Sequence, residues 1–281
     1  MMDSTQIFTS ADGFDSIKIG ELTFKLDRQP DRPLLSTSMP RFRESYTTID
    51  EAKWSEFDQF AVFNPPCLYQ IQNGCVGHGT CTAAWLCWVA AGNDPIDFSP
   101  TWNYAMTNGG RDRGAQIGDT LASMQKYGLC TAKSFPESQC YASQATKEAY
   151  TEAAQYVLDD GYLAYSWEEV GTALHLGYQV SDSVMVGNGF MSVEGTVGGY
   201  PLVPDCRGMG NHCVVSGGLI RFKGKVYRSR QTSWGPSTPF GANGRFVTTR
   251  EHDESQGQGF SAVVFRTMKP VPGTVTPTLM S

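Results

Sequence analysis

The hydrophobic residues in the first half of the chain recur with helical spacing. Residues 75–91 are apolar and rich in Ala and Trp, and they run into Gly-Asn-Asp-Pro, which predicts a buried helix that ends there. The segment Ile117–Tyr127 keeps its apolar residues on one helical face and precedes Gly128, a residue typical of helix C-termini. The same spacing predicts two further helices, at residues 147–158 and 167–176.

The pattern changes to short β-rich runs in the second half. Runs separated by Gly, Pro and Asp predict strands at residues 180–187, 213–220, 225–230, 244–249 and 261–266. Near the N-terminus, residues 17–26 alternate in the manner of a strand, and residues 27–40 are rich in Pro and Ser. We therefore expect an α+β fold in which a helical half packs on an antiparallel β half, with a crevice between them.

This order of elements predicts four parts along the chain. Residues 1–55 form an N-terminal extension of strands and loops, and residues 56–160 form the helical half. Residues 161–268 form the β half, and residues 269–281 form a tail rich in Pro and Thr. Hypotheses for the extension include contact of its proline-rich segment, residues 28–40, with the cleft or with a partner.

Composition and charge narrow the classes of partner. The chain has 281 residues, of which 40% are hydrophobic and 18% charged, enough for one large core or two smaller ones. The net charge is −6 and no block of Lys or Arg stands out, so we expect no nucleic-acid partner. Apolar stretches such as residues 83–91 are far shorter than the roughly 20 residues that cross a bilayer, so we expect no membrane partner. The polar, acidic start lacks a signal core, and we expect a cytoplasmic protein.

The cysteines do not have the spacing of a metal site. They contain no C-x-x-C pair, and the four histidines lack H-x₃₋₅-H spacing, so we expect neither a bound metal nor another cofactor. Without a signal peptide, reduced thiols are the default, and most of them are expected to be small buried apolar residues. The eight cysteines are Cys67, Cys75, Cys81, Cys87, Cys130, Cys140, Cys206 and Cys213.

Cys75 is the candidate nucleophile. It follows Gly74 at the start of the long apolar helix, where the helix N-terminus lowers the pKa of a thiol and small neighbours keep the sulfur accessible. A lone cysteine is more often a buried thiol. The second half of the chain favours a nucleophile over a buried thiol, because His212 begins a strand and Ser233-Trp234-Gly235 follows about twenty residues later. A hairpin that returns a polar residue and a Trp can orient and shield an imidazole.

These ordered landmarks resemble the papain family of cysteine peptidases over about residues 60 to 250. Val76-Gly77-His78-Gly79 is similar to forms found in bacterial and bacteriophage papain-like domains. Ser233-Trp234-Gly235 is similar to most of the family's N-S-W-G segment. Other stretches similar to family segments are Phe98-Ser99-Pro100, residues 118–128 with Phe135-Pro136, and residues 167–187.

The resemblance implies acyl transfer through a thioester. Cys75 would attack a peptide carbonyl, and His212 would protonate the leaving amine and then activate water. The backbone N–H of Cys75, together with a glutamine side chain from the preceding loop, would stabilise the oxyanion. The implied partner is a peptide or protein substrate.

Three positions depart from the family pattern. The orienting asparagine falls on Thr232, whose hydroxyl can accept a hydrogen bond from imidazole but is shorter. The oxyanion glutamine falls one residue off at Gln70, which we favour over Gln72. Cys81 is an alternative nucleophile, but this alignment needs an insertion and shortens the helix, so Cys75 is preferred. His78 lies on nearly the same helix face as Cys75, and we expect a capping or packing role for it.

Three functions agree with these residues. The leading hypothesis is a papain-like cysteine peptidase. The second is a catalytically weakened or inactive papain fold that serves as a structural or assembly module, and the similarity to phage-type domains raises a bacteriophage virion component, assembled into a larger particle. The third keeps the Cys-His chemistry and acts as a cell-wall peptide amidase.

Overall fold

The computed structural model describes residues 6–9, 15–19, 22–25, 39–187, 189–203, 210–235, 238–255 and 260–270. Its α-helices are α1 (Phe42–Ser45), α2 (Gln59–Phe63), α3 (Cys75–Ala90), α4 (Pro100–Thr107), α5 (Ile117–Tyr127), α6 (Lys147–Ala153), α7 (Trp167–His175) and α8 (Arg250–Glu254). Its strands are β1 (Gln6–Thr9), β2 (Asp15–Ile19), β3 (Leu22–Lys25), β4 (Phe57–Asp58), β5 (Tyr156–Ala164), β6 (Gln179–Val186), β7 (Thr196–Val197), β8 (Tyr200–Pro201), β9 (Gly210–Phe222), β10 (Lys225–Gln231), β11 (Arg245–Thr248) and β12 (Ala262–Pro270).

A seven-stranded antiparallel sheet forms the β half. Its strand order is β11-β10-β9-β6-β12-β5, and β4 pairs with β9 beside this path. β9 therefore lies between β6 and β10, with His212 opposite Val184 of β6. β12 is the last described strand in the sequence, yet it lies inside the sheet between β6 and β5. The two halves are thus combined as an α+β fold, as the sequence predicts.

The long helix α3 packs against both halves of the molecule through two glycines. A Cβ added to Gly77 would lie 2.3 Å from the Pro100 carbonyl oxygen, at the start of α4. A Cβ added to Gly79 would lie 2.9 Å from Ser181 Oγ and 3.0 Å from Cys213 Sγ, on β6 and β9. Each glycine costs a helix interior about 1 kcal/mol relative to alanine. The close approach that they permit brings the N-terminal end of α3 against the sheet.

Helix α4, which the sequence pattern did not predict, begins at a side-chain cap and contributes to the core. Ser99 begins α4 by accepting a hydrogen bond from Trp102 N (3.1 Å), and Pro100 occupies the first turn, where its missing N–H costs nothing. Trp88, Trp102 and Tyr104 are buried in the core, and Trp85 packs partly buried against it.

Two predicted elements are wrong. The helix expected at residues 147–158 ends at Ala153, and β5 begins at Tyr156, because its alternating buried side chains pair along β12. The single strand expected at residues 17–26 is two strands, β2 and β3, paired antiparallel. Gly20 follows β2 in the sequence, and glycine is favoured in the two-residue connections of hairpins. The expected boundary at residues 160/161 falls inside β5, and β12 extends to Pro270, into the expected tail.

The N-terminal extension is described only in part. β1, β2 and β3 form a three-stranded antiparallel sheet. Most of the proline-rich segment for which contact with the cleft was expected lies outside the described residues. From Met39 onward the chain joins the fold, because Met39 is buried in the core and the Pro40 carbonyl accepts a hydrogen bond from Leu163 N (2.9 Å).

Four ionised side chains are buried together under α8 and the sheet. Asp182 on β6 and Asp253 on α8 each contact both Arg228 and Arg230 of β10. All four side chains are at most 2% exposed. The two positive and two negative charges balance, so each charge compensates the desolvation of its neighbours.

Within the described part of the chain, no helix combines the length and the apolar character needed to cross a bilayer.

Candidate active site

Cys75 is the first residue of α3, as the sequence predicts. The loop before it is held by Asp112, whose Oδ1 accepts hydrogen bonds from Asn73 N (2.9 Å) and from the Tyr104 hydroxyl (2.7 Å). Gly74 packs on the Tyr104 ring, 3.0 Å from the position of an added Cβ. Cys75 itself is only 1% exposed, so the expectation of an accessible sulfur is wrong: the small neighbours allow close packing on the thiol instead. The sulfur therefore sits on a rigid turn at the positive end of a 16-residue helix.

His212 lies on β9 and is held on two sides. A hydrogen bond of 2.8 Å joins His212 Nε2 and Thr232 Oγ1. The Trp234 indole stacks on the imidazole with ring centroids 4.2 Å apart and an angle of 26° between planes. Trp234 is fully buried and packs in turn against Phe190. The hydrogen bond and the stacking contact together fix the plane of the ring and exclude water from its Nε2 side.

The second ring nitrogen of His212, Nδ1, is buried and has no hydrogen-bond partner among the described residues. His212 lines a small cavity of about 30 Å³ together with Val76, the residue after Cys75, and with Ala115 and Ile117 of the helical half. The packing of α3 on β9 therefore brings the Cys75 turn and the imidazole to one site between the two halves.

Burial keeps the imidazole neutral. Desolvation, together with the nearby His78 ring, lowers the pKa of His212 from its ordinary value to about 3, because burial disfavours the charged form and two positive charges would repel. The site therefore holds a neutral imidazole at pH 7.

Gln70 joins the loop before Cys75 to the segment after β10 that carries Trp234. Its backbone N–H donates to the Ser233 carbonyl (2.8 Å), and its Oε1 accepts from the Ser233 hydroxyl (2.8 Å). Its Nε2 donates to the Gln72 carbonyl (3.3 Å), which leaves a second N–H on the same nitrogen. Gln72 instead donates to the Glu137 carbonyl (2.6 Å) in the helical half. Of the two glutamines considered from the sequence, Gln70 is the one bonded to the segment that shields His212.

Cys81 lies apart from this site. Its thiol donates to the Phe98 carbonyl (3.5 Å), and it lines an apolar cavity with Trp85 and Ile96 on another side of α3. Burial strongly raises the pKa of the Cys81 thiol. A thiol that stays protonated and bonded to a backbone carbonyl is a packing residue, so the geometry favours Cys75 over Cys81 as the residue near His212.

His78 is closer to the site than the sequence indicated. It lies one turn after Cys75, is 1% exposed, and its Nδ1 lies 2.9 Å from the Gly74 carbonyl oxygen. Its burial matches the expected packing role, but a bond to the Gly74 carbonyl is not a helix cap, because the unpaired groups at a helix N-terminus are N–H donors. The proximity of its ring to His212 was not predicted, because no local pattern shows that α3 and β9 pack at this point.

No disulfide joins the described cysteines Cys67, Cys75, Cys81, Cys87, Cys130, Cys140 and Cys213, and Cys206 lies outside the described residues. Over the same part of the chain, no group of three or more His, Cys, Asp or Glu side chains is arranged to hold a metal ion.

Comparison with solved structures identifies the fold. Xylellain, a cysteine protease from Xylella fastidiosa, matches with a TM-score of 0.64 and 16% identity, covering 86% of this chain and 95% of xylellain. The cysteine protease and lectin-like domains of Cwp84, a surface layer associated protein from Clostridium difficile, match with a TM-score of 0.61 and 14% identity, covering 81% of this chain and 54% of theirs. Bromelain from Ananas comosus, in complex with the E64 inhibitor, matches with a TM-score of 0.58 and 13% identity, covering 77% of this chain and 99% of bromelain.

The chain thus has the papain-like cysteine peptidase fold, as its sequence landmarks indicate. No protein-family model and no curated protein sequence matches it. At these identities, the likeness to xylellain and bromelain defines the fold alone.

Proposed function

We propose that this protein is a cysteine peptidase that hydrolyses peptide bonds with Cys75 as nucleophile and His212 as base. The observation that carries the proposal is the setting of His212. Its Nε2 is bonded to Thr232, its face is covered by Trp234, and its Nδ1 has no partner among the described residues. An imidazole oriented on one nitrogen and left open on the other is suited to proton transfer.

The reaction has two steps of acyl transfer. In the first, the Cys75 thiol loses its proton to His212 and the sulfur bonds to the peptide carbonyl carbon. The negative oxygen that forms is stabilised by the Cys75 backbone N–H and by the second N–H of Gln70 Nε2. The tetrahedral species then collapses, the C–N bond breaks, and the amine leaves with the proton from His212.

In the second step, His212 takes a proton from water, and the hydroxide attacks the thioester. The C–S bond breaks, the carboxylic acid is released, and the proton returns to the sulfur. A pKa of about 3 keeps His212 unprotonated before each attack but makes it a weak proton acceptor, so this burial favours low activity unless substrate binding raises the pKa. The substrate is a peptide or protein.

The experiment is covalent labelling with an epoxide directed at thiols, read by mass spectrometry of the labelled peptide. We expect the label on Cys75 in the wild-type chain, loss of labelling in Cys75→Ala, and unchanged labelling in the matched control Cys81→Ala. Turnover of a peptide library by the wild type and its loss in Cys75→Ala complete the test. Labelling that persists in Cys75→Ala, or turnover that survives it, would overturn the assignment.

A catalytically silent papain fold is the second candidate. It is favoured by the burial of Cys75 and His212, each 1% exposed, because a substrate carbonyl must reach a covered sulfur. It is also favoured by threonine at the position of the orienting asparagine. A chain that stays unlabelled and inactive in the wild type would support this candidate.

The comparisons give no support to a bacteriophage or virion role. Digestion of purified peptidoglycan, compared with casein, separates a cell-wall amidase from a general peptidase.

A further inference from the structure

His78 holds its proton on a known ring nitrogen. Its Nδ1 lies 2.9 Å from the Gly74 carbonyl oxygen, and a carbonyl oxygen only accepts, so Nδ1 carries the hydrogen. Burial lowers the pKa of His78 to about 4, so the ring is neutral at pH 7. Its Nε2 is therefore a lone-pair acceptor. This nitrogen is buried and has no hydrogen-bond partner among the described residues.

Thr232 by itself does not choose the tautomer of His212. An asparagine carbonyl only accepts and would require a hydrogen on Nε2 of the imidazole. A threonine hydroxyl rotates and either donates or accepts. Among the described residues, Thr232 is the hydrogen-bond partner of the His212 ring. With that partner alone, His212 can adopt the tautomer with the hydrogen on Nδ1, which is unable to take the proton of the thiol.

One small cavity is lined by both His78 and Thr232. It offers about 10 Å³, close to the ~10–15 Å³ that one water molecule requires. Its lining residues are Leu68, His78, Gly79, Thr82, Gln231, Thr232 and Ser233. The buried acceptor of His78 and the rotatable hydroxyl of Thr232 are the kinds of group that a trapped water bonds.

We propose that His78 is a positioning residue that fixes the tautomer of His212 through one water molecule and the Thr232 hydroxyl. The hydrogen bonds of this series all run in one direction, from His212 to Gly74. His212 Nε2–H donates to Thr232 Oγ1, the Thr232 hydroxyl donates to the water, and the water donates to His78 Nε2. The carbonyl of Gly74 ends the chain by accepting from His78 Nδ1. His212 is then left with its lone pair on Nδ1, which is the base that the reaction needs.

This inference rests on the proposed function for its kinetic consequence, but not for its structural content. The tautomer of His212 is a property of the folded chain and is measurable without turnover. The two ideas therefore fail separately.

The test reads the ring nitrogens directly, by ¹⁵N-histidine NMR of the Cys75→Ala chain at pH 7. We expect His212 as the tautomer with the hydrogen on Nε2. Adding His78→Phe, which removes the acceptor, should convert His212 into a mixture of tautomers. His78→Gln, whose amide oxygen accepts a bond from the same water, should retain the single tautomer. Thr248→Val, which changes a buried threonine of β11 that does not line this cavity, is the matched control and should leave the spectrum of His212 unchanged.

Kinetics supply the second readout in the chain with Cys75 intact. His78→Phe should lower kcat by roughly tenfold or more with KM nearly unchanged, and His78→Gln should recover most of the rate. The proposal is overturned if His78→Phe leaves the tautomer population of His212 unchanged. It is also overturned if His212 carries its hydrogen on Nδ1 in the Cys75→Ala chain. Normal tautomer behaviour without any peptidase turnover in the wild type overturns the proposed function instead.

A further measurement needs no substitution at His78, in case His78→Phe does not fold. In the Cys75→Ala chain, a bound water should give cross-relaxation peaks to the His78 ring protons and to the Thr232 methyl protons. Absence of a water contact at both residues overturns the proposal.

Discussion

His212 Nε2 and Thr232 Oγ1 are joined by a hydrogen bond of 2.8 Å beneath the indole of Trp234. Thr232 is the next residue after β10, so the strand that pairs with β9 also returns the hydroxyl to the imidazole. A threonine thus occupies the orienting position and makes the contact that the position requires.

Thr232→Val should weaken catalysis without unfolding the chain. Valine has nearly the same shape but leaves His212 Nε2 without a partner, so we expect kcat to fall by roughly 10²–10³, within the range for loss of an orienting or proton-transfer contact. Steady-state kinetics on a peptide substrate measure this change. Thr248→Val is the control, since Thr248 is a buried threonine on β11 whose hydroxyl has no hydrogen-bond partner in the described part of the chain. Equal losses in the two variants would contradict a specific role for Thr232.

The two candidate glutamines are expected to differ in their effect on rate. Gln70→Ala removes a side chain bonded to Ser233, next to the indole that covers His212, and should reduce kcat by about 10²–10³, the usual cost of one oxyanion donor. Gln72→Ala removes a bond to the Glu137 carbonyl in the helical half and should change kcat only a few-fold. A larger loss in Gln72→Ala than in Gln70→Ala would exchange the two assignments.

Acid should destabilise the fold through two of its buried histidines, His78 and His212. The pKa of His212 is lowered to about 3 and that of His78 to about 4 by burial, whereas an unfolded histidine titrates near 6.5. Between these values the unfolded chain binds more protons than the folded chain. Stability is therefore complete above about pH 6.5 and falls as the pH drops toward 4, by up to ~1.4 kcal/mol per pH unit for each histidine.

Urea unfolding at pH 7, 6, 5 and 4.5 measures this dependence. His212→Gln, which places a neutral side chain at the same position, should unfold with a shallower dependence on pH than the wild type. Identical slopes would mean that folding does not lower the pKa of His212.

The buried ionic cluster should tolerate no unpaired charge. Asp253→Asn leaves Arg228 and Arg230 with Asp182 as the single carboxylate of the cluster, and we expect a loss of about 3–5 kcal/mol in the free energy of unfolding. Glu254→Gln is the adjacent control, because Glu254 pairs with Arg250 at the surface and should contribute at most about 1 kcal/mol. Denaturant unfolding of both variants separates the two cases.

The sequence predicted those parts of the fold that local pattern controls. The spacing before Gly128 gave α5 with its observed bounds, and the apolar run after Gly74 gave α3 to within one residue. Cys75, His212 and Thr232 were named because they lie at recognisable distances from a helix start and from Ser233-Trp234-Gly235. Gln70 was preferred by proximity to the expected position, and its bond to Ser233 agrees with that preference.

The features that escaped prediction depend on contacts between segments far apart in the chain. Residues 156–158 have helical spacing with the preceding turn, but pairing with β12 over a hundred residues away makes them a strand. Arg228 and Arg230 would be placed on an exposed face by polarity alone, yet Asp182 and Asp253 from two other elements permit their burial. The approach of His78 to His212 was not predicted for the same reason, because α3 and β9 lie far apart in the sequence.

The position of β12 sets the order in which the molecule is completed. This strand joins β5 to β6 and packs on α3, and it is the last described element to be synthesised. A chain still on the ribosome, which emerges N-terminus first, lacks the central strand until residues 262–265 are released. Cys75 and His212 are both made long before the sheet that supports them is complete. Translation therefore delays completion of the sheet that supports Cys75 and His212 until β12 has been made.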